Sequence, residues 1–278
     1  NVSGLGVGTN VFTWTISNGS CPPSVDTVII TREEEPTPAN AGPDAVLCDS
    51  VALLSGNTPA VGMGQWTLVS GTGTITNDTS ANTSITGHGI GDAVLIWTIS
   101  NGSSPASVDT VVITRDAEPT PANAGMDQIA CDSFAVLNGN MPMVGMGAWT
   151  VIGGTASEAD STNPNSAVSN LSAGPNVFVW TISNGTCPSS SDTVLIDRAL
   201  PITAPAIVGD SAVCFGDSAF LTSSANVSDM PLWYDAPTGG NILDSAVTLF
   251  IPSVTATTTY WLQVTDSATG CPSPSSAF

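Results

Sequence analysis

Apolar and polar residues alternate along one segment that occurs three times in the chain. In its first copy, Phe12, Trp14 and Ile16 are separated by Thr13 and Thr15. A period of two places successive side chains on opposite faces of a strand, so the pattern predicts a half-buried β-strand with its aromatic residues inside. The same apolar positions recur in the other copies: Leu95, Trp97, Ile99, and Phe178, Trp180, Ile182. An Asn-Gly pair follows each copy and predicts a tight hairpin.

The second strand of each hairpin begins at an Asp-Thr-Val triplet. We expect Val28 and Ile30 to point inward and Thr27 to point outward, and the same phase holds in the other two copies. All these segments recur with a constant period of 83 in the numbering, as the positions of Trp14, Trp97 and Trp180 show. A constant long period indicates one structural unit copied in tandem.

The repeat divides the chain into four predicted parts. Residues 1–35 match the last part of a unit, 36–118 and 119–200 are complete units, and 201–278 are a divergent unit. Because the first unit is incomplete, we expect the chain to be a piece of a longer protein. Proline-rich linkers at 33–38 and 116–121 are stiff and extended, which predicts that the units form a rod.

The complete units carry many short strand patterns separated by turn residues. In the first unit the predicted strands are 51–54, 65–69, 73–76, 83–86, 93–100 and 109–114. This spacing predicts an all-β fold of antiparallel, immunoglobulin-like or PKD-like β-sandwiches. Each unit also contains two tryptophans at the same separation, Trp66 with Trp97 and Trp149 with Trp180. We expect each pair to lie on facing sheets and to fill one core.

Composition restricts the partners of this fold. The net charge is −20 and the pI is about 4.1, which excludes nucleic acid as a partner because few cations are available to replace its counterions. No apolar run reaches the roughly 18–20 residues of a membrane-spanning helix, so we expect no membrane insertion. Only 9% of residues are charged and the mean hydropathy is +0.24, which favours a folded chain over a disordered one.

Several motifs resemble those of a known group of proteins. Residues 119–125 read Pro-Thr-Pro-Ala-Asn-Ala-Gly, a cysteine and a tryptophan follow, and the unit closes with Trp-Thr-Ile-Ser-Asn-Gly-Thr-Cys-Pro at 180–188. This series is similar to the PKD-like and immunoglobulin-like repeats of very large secreted surface proteins of Bacteroidota. The last unit, with Cys214, Trp233, Trp261 and Cys271, resembles the immunoglobulin-like domains that accompany their sorting domains. The resemblance implies secretion by the type IX route and roles as adhesins, gliding-motility proteins or surface fibres.

The six cysteines occupy repeat-related positions. Cys131 and Cys187 have a separation of 56 in the numbering, and Cys214 and Cys271 have a separation of 57. These spacings predict one disulfide inside each of the last two units, each stabilising its unit by about 2–4 kcal/mol.

A second disulfide register is also compatible with the sequence. It pairs Cys21 with Cys48 and Cys187 with Cys214, both with a separation of 27, and joins neighbouring units. Spacing alone does not determine connectivity. We prefer disulfides inside the units, because the divergent last unit keeps two cysteines of its own.

The remaining polar residues do not form a recognisable catalytic set. His88 is the only histidine and lies where the other copies have Leu5 and Leu171, so we expect no Ser-His-Asp hydrolase and no enzyme. We expect no cofactor. The alternative is calcium bound at the joints, which are the linkers between successive repeats. The candidate ligands are Glu33, Glu34, Glu35, Asp44, Asp116, Glu118 and Asp127. The simpler interpretation is solvated acids with an Arg–acid pair at each joint.

Aspartate is often followed by Ser or Thr and then by Ala, Val or Thr. This series resembles the acceptor for O-glycosylation in secreted Bacteroidota proteins, which implies covalent glycans. The hydroxyl carriers are Thr27, Ser50, Thr110, Ser161, Thr193, Ser211, Ser218, Ser245 and Ser267. The alternative is that Asp-Ser and Asp-Thr simply form turns and strand starts.

Together these observations predict a structural, non-catalytic repeat region of an extracellular or cell-surface protein. It would act as a stalk or as a filament subunit, with self-association into fibres through unpaired strand edges. The alternative is an adhesin module for glycan or protein surfaces. Its binding surface would lie at 70–91 and 153–174, where the copies differ most.

Overall fold

The computed structural model describes residues 1–226 and 229–278, and every regular element in them is a β-strand. Nowhere in those residues is there a helix with the length and apolarity needed to cross a membrane. The chain divides into two compact units. The first contains residues 1–119 and 184–188, and the second contains residues 120–183 and 189–278.

Residues 1–35 form one antiparallel hairpin of β1 (Gly8–Ile16) and β2 (Ser24–Arg32). Both strands agree with the sequence pattern, but the predicted inward face is open. Trp14 is 72% exposed, whereas its copies Trp97 and Trp180 are fully buried. The difference arises because residues 1–35 contain only this two-stranded sheet, with no second sheet to cover the apolar face.

The first complete repeat forms two sheets. Its strands are β3 (Ala45–Leu47), β4 (Ala52–Ser55), β5 (Met63–Ser70), β6 (Thr74–Ile75), β7 (Asn82–Thr86), β8 (Gly91–Ser100) and β9 (Ser107–Arg115). One sheet has the order β3-β9-β8-β5 and the other has the order β4-β7-β6. Strand β3 is parallel to β9, and the remaining pairs are antiparallel.

The second complete repeat has the same topology. Its strands are β10 (Gln128–Ala130), β11 (Ala135–Val136), β12 (Met146–Gly153), β13 (Ser157–Glu158), β14 (Ala167–Ser169), β15 (Gly174–Ser183) and β16 (Ser190–Arg198). The sheet orders are β10-β16-β15-β12 and β11-β14-β13, and β10 is parallel to β16.

The described part of residues 201–278 also forms a seven-stranded, two-sheet domain. Its strands are β17 (Ile207–Gly209), β18 (Ala219–Ser223), β19 (Met230–Tyr234), β20 (Ile242–Asp244), β21 (Thr248–Ile251), β22 (Trp261–Thr265) and β23 (Ser276–Ala277). The sheet orders are β17-β18-β21 and β20-β19-β22-β23. Here the first strand pairs with the second strand and not with the last one, which is the main departure from the other repeats.

These sheet orders confirm the predicted all-β class of tandem immunoglobulin-like sandwiches. Each sheet is built from strands of one predicted part of the chain. The sequence pattern missed β3 and β10, because three residues are too few to show alternation. It also predicted only antiparallel pairing, and these two short strands are the parallel exceptions.

The tryptophan pairs fill the cores, but their predicted placement on facing sheets is wrong. Trp66 lies directly opposite Trp97 on adjacent strands of one sheet, and their ring centroids are 4.9 Å apart. Trp149 and Trp180 repeat this geometry at 4.9 Å. Strands β6 and β7 belong to the other sheet, so β8 returns beside β5. The separation of the tryptophans in the sequence does not distinguish this path from a crossing between sheets.

Candidate functional site

The two disulfides give the joints between repeats their distinctive chemistry. Cys48, in the turn between β3 and β4, is bonded to Cys187, which follows the Asn-Gly pair of the next repeat. Cys131, in the turn between β10 and β11, is bonded to Cys271 of the last repeat. The sequence separations are 139 and 140 residues, and each bond lies within one compact unit.

This connectivity corrects the predicted pairs Cys131–Cys187 and Cys214–Cys271, and it also differs from the alternative register. Cys131 follows Ala130, which pairs with Arg198 at the end of β16, whereas Cys187 precedes the start of that strand. At about 3.3 Å per residue, β16 separates the two cysteines by roughly 25–30 Å. A disulfide requires Cα atoms about 4.4–6.8 Å apart, and the observed pairs have 4.8 and 5.3 Å.

Hydrogen bonds hold the turn of Cys187 against the preceding linker. The Asn184 side-chain amide donates to the Ala117 carbonyl at 2.8 Å. The backbone N–H and the hydroxyl of Thr186 both donate to the Asp116 carboxylate, at 2.8 and 3.0 Å. Gly185 has φ +52°, and a Cβ there would overlap this carboxylate. The Asn-Gly pair is therefore a hairpin turn and also the contact surface of the joint.

The preceding joint repeats this arrangement without a disulfide. The Asn101 amide donates to the Glu34 carbonyl at 2.8 Å, and the Ser103 N–H donates to the Glu33 carboxylate. Ser104 occupies the position of Cys187, and its hydroxyl donates to the same Glu34 carbonyl at 3.2 Å. The linker acids Glu33 and Asp116 are thus equivalent acceptors. Sequence reasoning identifies them only as candidate calcium ligands, although their separation equals the repeat period and marks them as part of the repeated joint.

In the part of the chain that the structure describes, the arginines bond to backbone carbonyls and do not form the predicted Arg–acid pairs. Arg115 donates from Nε to the Cys48 carbonyl at 3.0 Å and from Nη1 to the His88 carbonyl at 2.9 Å. Arg198 and Arg32 make the second of these contacts with Leu171 and Leu5, the residues equivalent to His88. The guanidinium therefore fixes a backbone segment in each of the first three repeats, and in the first complete repeat it also fixes the turn of Cys48.

The candidate calcium ligands are dispersed. Within the described residues no group of three or more His, Cys, Asp or Glu side chains is placed to hold a metal ion. Asp44 accepts the Val112 N–H and Asp127 accepts the Leu195 N–H, both at 2.8 Å. These carboxylates therefore dock the segments before β3 and β10 onto the last strand of their own repeats.

His88 is buried, at 1% exposure, in the position of a leucine. Its Nδ1 lies 3.4 Å from the Thr72 carbonyl oxygen, and within the described part of the chain its Nε2 has no hydrogen-bonding partner. The burial of this imidazole agrees with its place at a core position that is Leu5 and Leu171 in the other copies.

The nine proposed glycan acceptors do not converge on one site. Seven are exposed, and Ser50 and Ser161 are half-buried. The outward phase predicted for Thr27, Thr110 and Thr193 agrees with their exposure. The aspartates of the motif also have structural roles: the Asp109 carboxylate accepts the Ala41 N–H at 2.8 Å.

Asp266 organises the turn that leads to Cys271. The Ala268 N–H and then the Thr269 hydroxyl hydrogen bond to its carboxylate and lower its pKa below the ordinary value. Its backbone N–H donates to the Cys271 carbonyl at 2.9 Å. Hydrogen bonds from Thr162 lower the pKa of Asp160, and those from Asn241 lower the pKa of Asp235. The hydrogen bonds to these three turn-forming carboxylates favour their charged form.

The fold and the joints define a chain of tandem immunoglobulin-like domains with disulfides between successive repeats. Residues 203–277 match the family model described as "Ig-like domain CHU_C associated". No curated protein has a sequence that matches this chain significantly.

Among solved structures, the chain is similar to other strings of immunoglobulin domains. A three-domain structure of titin is 11% identical with a TM-score of 0.42, covering 86% of this chain and 96% of that one. The eight N-terminal domains of Down Syndrome Cell Adhesion Molecule are 12% identical with a TM-score of 0.46, covering 97% and 39%. Sidekick-1 domains 1–5 are 13% identical with a TM-score of 0.40, covering 94% and 64%.

Proposed function

We propose that this chain is the structural, non-catalytic repeat region of a secreted cell-surface or fibre protein. The observation that carries the proposal is the disulfide connectivity: Cys48–Cys187 and Cys131–Cys271 each join one repeat to the next. A disulfide inside a domain stabilises that domain alone. A disulfide between successive domains also limits how far the chain can lengthen when one domain unfolds, which is useful to a protein that carries load.

The linker contacts support the same role. Asp116 and Ala117 accept three hydrogen bonds from the Asn-Gly turn of the next repeat. Glu33 and Glu34 accept the equivalents of two of these and a third bond from the Ser104 hydroxyl. A linker bound in this way loses much of the freedom of an exposed Pro-rich segment. We therefore propose that the repeats form an extended stalk or filament with restricted bending.

Two disulfides require an oxidising compartment, which supports an extracellular location. The match of residues 203–277 to the CHU_C-associated model supports the resemblance to large secreted surface proteins of Bacteroidota. We propose that secretion follows the type IX route, as this resemblance implies.

Electron microscopy of the native material, without added ligand, tests the proposal. We expect either continuous filaments with this chain as the repeating subunit or thin stalks that end on a cell surface. Compact particles that contain this chain beside a catalytic domain would contradict a structural role.

The adhesin alternative rests on one observation, the sequence difference between residues 70–91 and 153–174. Both segments contain the short fourth and fifth strands of their repeats. A binding segment should differ from its copies, whereas a scaffold segment has no need to. A chain in which 153–174 is replaced by 70–91 should lose binding to glycan or protein arrays if the alternative is correct. If the segments are only scaffold, the exchange should change no binding signal.

A further inference from the structure

All six methionines of the chain lie at its surface. Their exposed fractions range from 60% at Met230 to 94% at Met143. Methionine is usually buried, because its thioether side chain is apolar. Three of the six lie close together in the second complete repeat, where Met141, Met143 and Met146 are 78%, 94% and 79% exposed. Packing in the core therefore does not account for this cluster.

The cluster lies on a segment whose backbone is fixed. The Trp180 indole N–H donates to the Asn140 carbonyl at 3.1 Å. The Thr120 hydroxyl oxygen accepts the Met143 N–H at 2.9 Å. Met146 is the first residue of β12 and belongs to the ladder with β15. The three thioethers are therefore carried by one ordered segment.

The first complete repeat has the same segment with a single thioether. The Thr37 hydroxyl oxygen accepts the Ala60 N–H at 2.9 Å, the distance found for Met143 in the second repeat. The backbone contact is therefore copied although the side chains differ, so the added methionines are not needed to fold the segment. The residues equivalent to Met141, Met143 and Met146 are Thr58, Ala60 and Met63.

The donor atoms of the segment determine which ligand it suits. Residues 140–147 contain no Asp, Glu, His or Cys, so their side-chain donors are the thioether sulfurs and the Asn140 amide. The Asn140 amide already bonds to the Pro121 carbonyl at 3.0 Å and to the Asn123 N–H at 2.8 Å. Thioether sulfur is a soft ligand that favours Cu(I), whereas Ca²⁺ and Mg²⁺ take oxygen ligands. The segment is therefore suited to a soft monovalent cation.

The spacing of the methionines allows their sulfurs to meet at one ion. Met141 precedes Pro142, which favours an extended backbone, and in an extended segment residues i and i+2 lie on the same side. The chain then bends at 143–145, where Gly145 has φ +90°, before β12 begins at Met146. Two residues span at most about 7 Å, and the unbranched methionine side chain is flexible. The sulfurs can therefore converge without movement of the backbone.

We propose that Met141, Met143 and Met146 form a binding site for Cu(I), which also accepts the soft cation Ag(I). The ion binds through the three Sδ atoms, and no group is oxidised or reduced in this step. The net charge of −20 attracts cations to the surface in general, and the thioethers supply the preference for a soft one. The site goes beyond the proposed structural function, which requires no metal.

The test uses the full chain with Cys21→Ser and Cys214→Ser, because free thiols bind the same cations. The methionine methyl groups are isotope-labelled, and their NMR signals are followed while silver nitrate is added in a chloride-free buffer. Cu(I) kept reduced by ascorbate is the second probe. The signals of the cluster should shift together and saturate at a single bound ion, and the signals of Met63, Met126 and Met230 should stay unchanged.

Variants at exposed positions make the result specific. Met143→Leu removes one sulfur at a position that is 94% exposed, so the fold should be retained and saturable binding lost. Met63→Leu is the matched control in the equivalent segment and should leave binding unchanged. Thr58→Met combined with Ala60→Met gives the first repeat the same three thioethers on the same backbone, so this chain should bind a second ion.

Two results would overturn the inference. All six methyl signals could shift in proportion to the added cation, which would indicate unselective binding to exposed thioethers. Alternatively, the signals of the cluster could stay unchanged in excess Ag(I) and in excess Cu(I). Microscopy of native filaments is independent of both results, so the structural function could stand if this site fails.

Discussion

The two disulfides shorten the route along which the chain can be stretched, and the change in length can be measured. The shortest covalent route runs from residue 1 to Cys48, crosses to Cys187, returns along the chain to Cys131, crosses to Cys271 and ends at residue 278. It contains about 110 residues, so its full extension is about 390 Å at roughly 3.5 Å per residue. Reduction frees all 278 residues and gives about 970 Å.

Optical tweezers with handles on both termini would measure these extensions after complete unfolding. The oxidised chain should stop lengthening at about 390 Å, and addition of a reductant under load should more than double that limit. Cys48→Ser and Cys131→Ser each remove one bond, and both variants should reach about 490 Å. Cys21→Ser is the matched control, because Cys21 is unpaired in the described structure and its removal should leave the limit unchanged.

The assay also separates the observed connectivity from the one expected by spacing. Disulfides Cys131–Cys187 and Cys214–Cys271 would leave about 165 residues in the stretched route, with an extension of about 580 Å. An oxidised limit at that value would refute the argument that β16 keeps Cys131 and Cys187 apart. A limit of about 970 Å before reduction would mean that neither disulfide forms.

Further predictions concern the core, the joint and the turns. His88→Leu should raise the free energy of unfolding by about 1–3 kcal/mol in chemical denaturation, because it removes a buried unsatisfied nitrogen, and Leu171→His should lower it. Gly64→Ala should destabilise by about 1–3 kcal/mol or more, because its Cβ would overlap the ring of Trp97, whereas Gly6→Ala should be nearly neutral. Asp116→Ala should lower the free energy of unfolding by about 1–3 kcal/mol, and in timed alkylation the Cys48–Cys187 disulfide should be reduced faster. An unchanged reduction rate would contradict the role of Asp116 in holding the turn of Cys187. Asp160, Asp235 and Asp266 have lowered pKa values, so the folded chain binds fewer protons than the unfolded chain near the ordinary Asp pKa of about 3.9. Their contribution to the free energy of unfolding is complete above that pH and is lost as the pH falls through the lowered pKa values of the folded chain. Denaturation midpoints should therefore decrease below about pH 4, and the decrease should be smaller in Asp160→Asn.

Period and alternation are sufficient to predict most of the fold from the sequence. The burial of Trp97, Val111 and Ile113 follows from a period of two, because a strand beside a core alternates its side chains. The same pattern fails at Trp14, since alternation indicates which face is apolar but not whether a second sheet covers it. The placement of the two tryptophans of a repeat on opposite sheets is wrong because spacing contains no information about which strands become neighbours.

The joint is harder to predict because its contacts connect residues that are far apart in the sequence. Asp116 bonds to Thr186, and Cys48 bonds to Cys187. The cysteine spacing that recurs inside a repeat favours pairing there, whereas the informative regularity is the separation of 139 and 140 residues between cysteines of successive repeats. The near-equal separations are the one sign of this connectivity in the sequence. Their interpretation requires knowing at which end of each sandwich the bonded cysteines lie.

Ser104 makes the joints unequal. Ser104 occupies the position at which the other repeats have Cys21, Cys187 and Cys271. In the described structure the linker at Glu33 and Glu34 is therefore held by hydrogen bonds and not by a disulfide. Such bonds contribute about 0.5–1.5 kcal/mol each, whereas a disulfide that closes a loop of about 140 residues contributes roughly 5 kcal/mol in the chain-entropy model. Under load the contacts of Asn101, Ser103 and Ser104 should therefore separate first. A chain of disulfide-linked repeats with one joint held by hydrogen bonds can yield at that joint while its covalent connections stay intact.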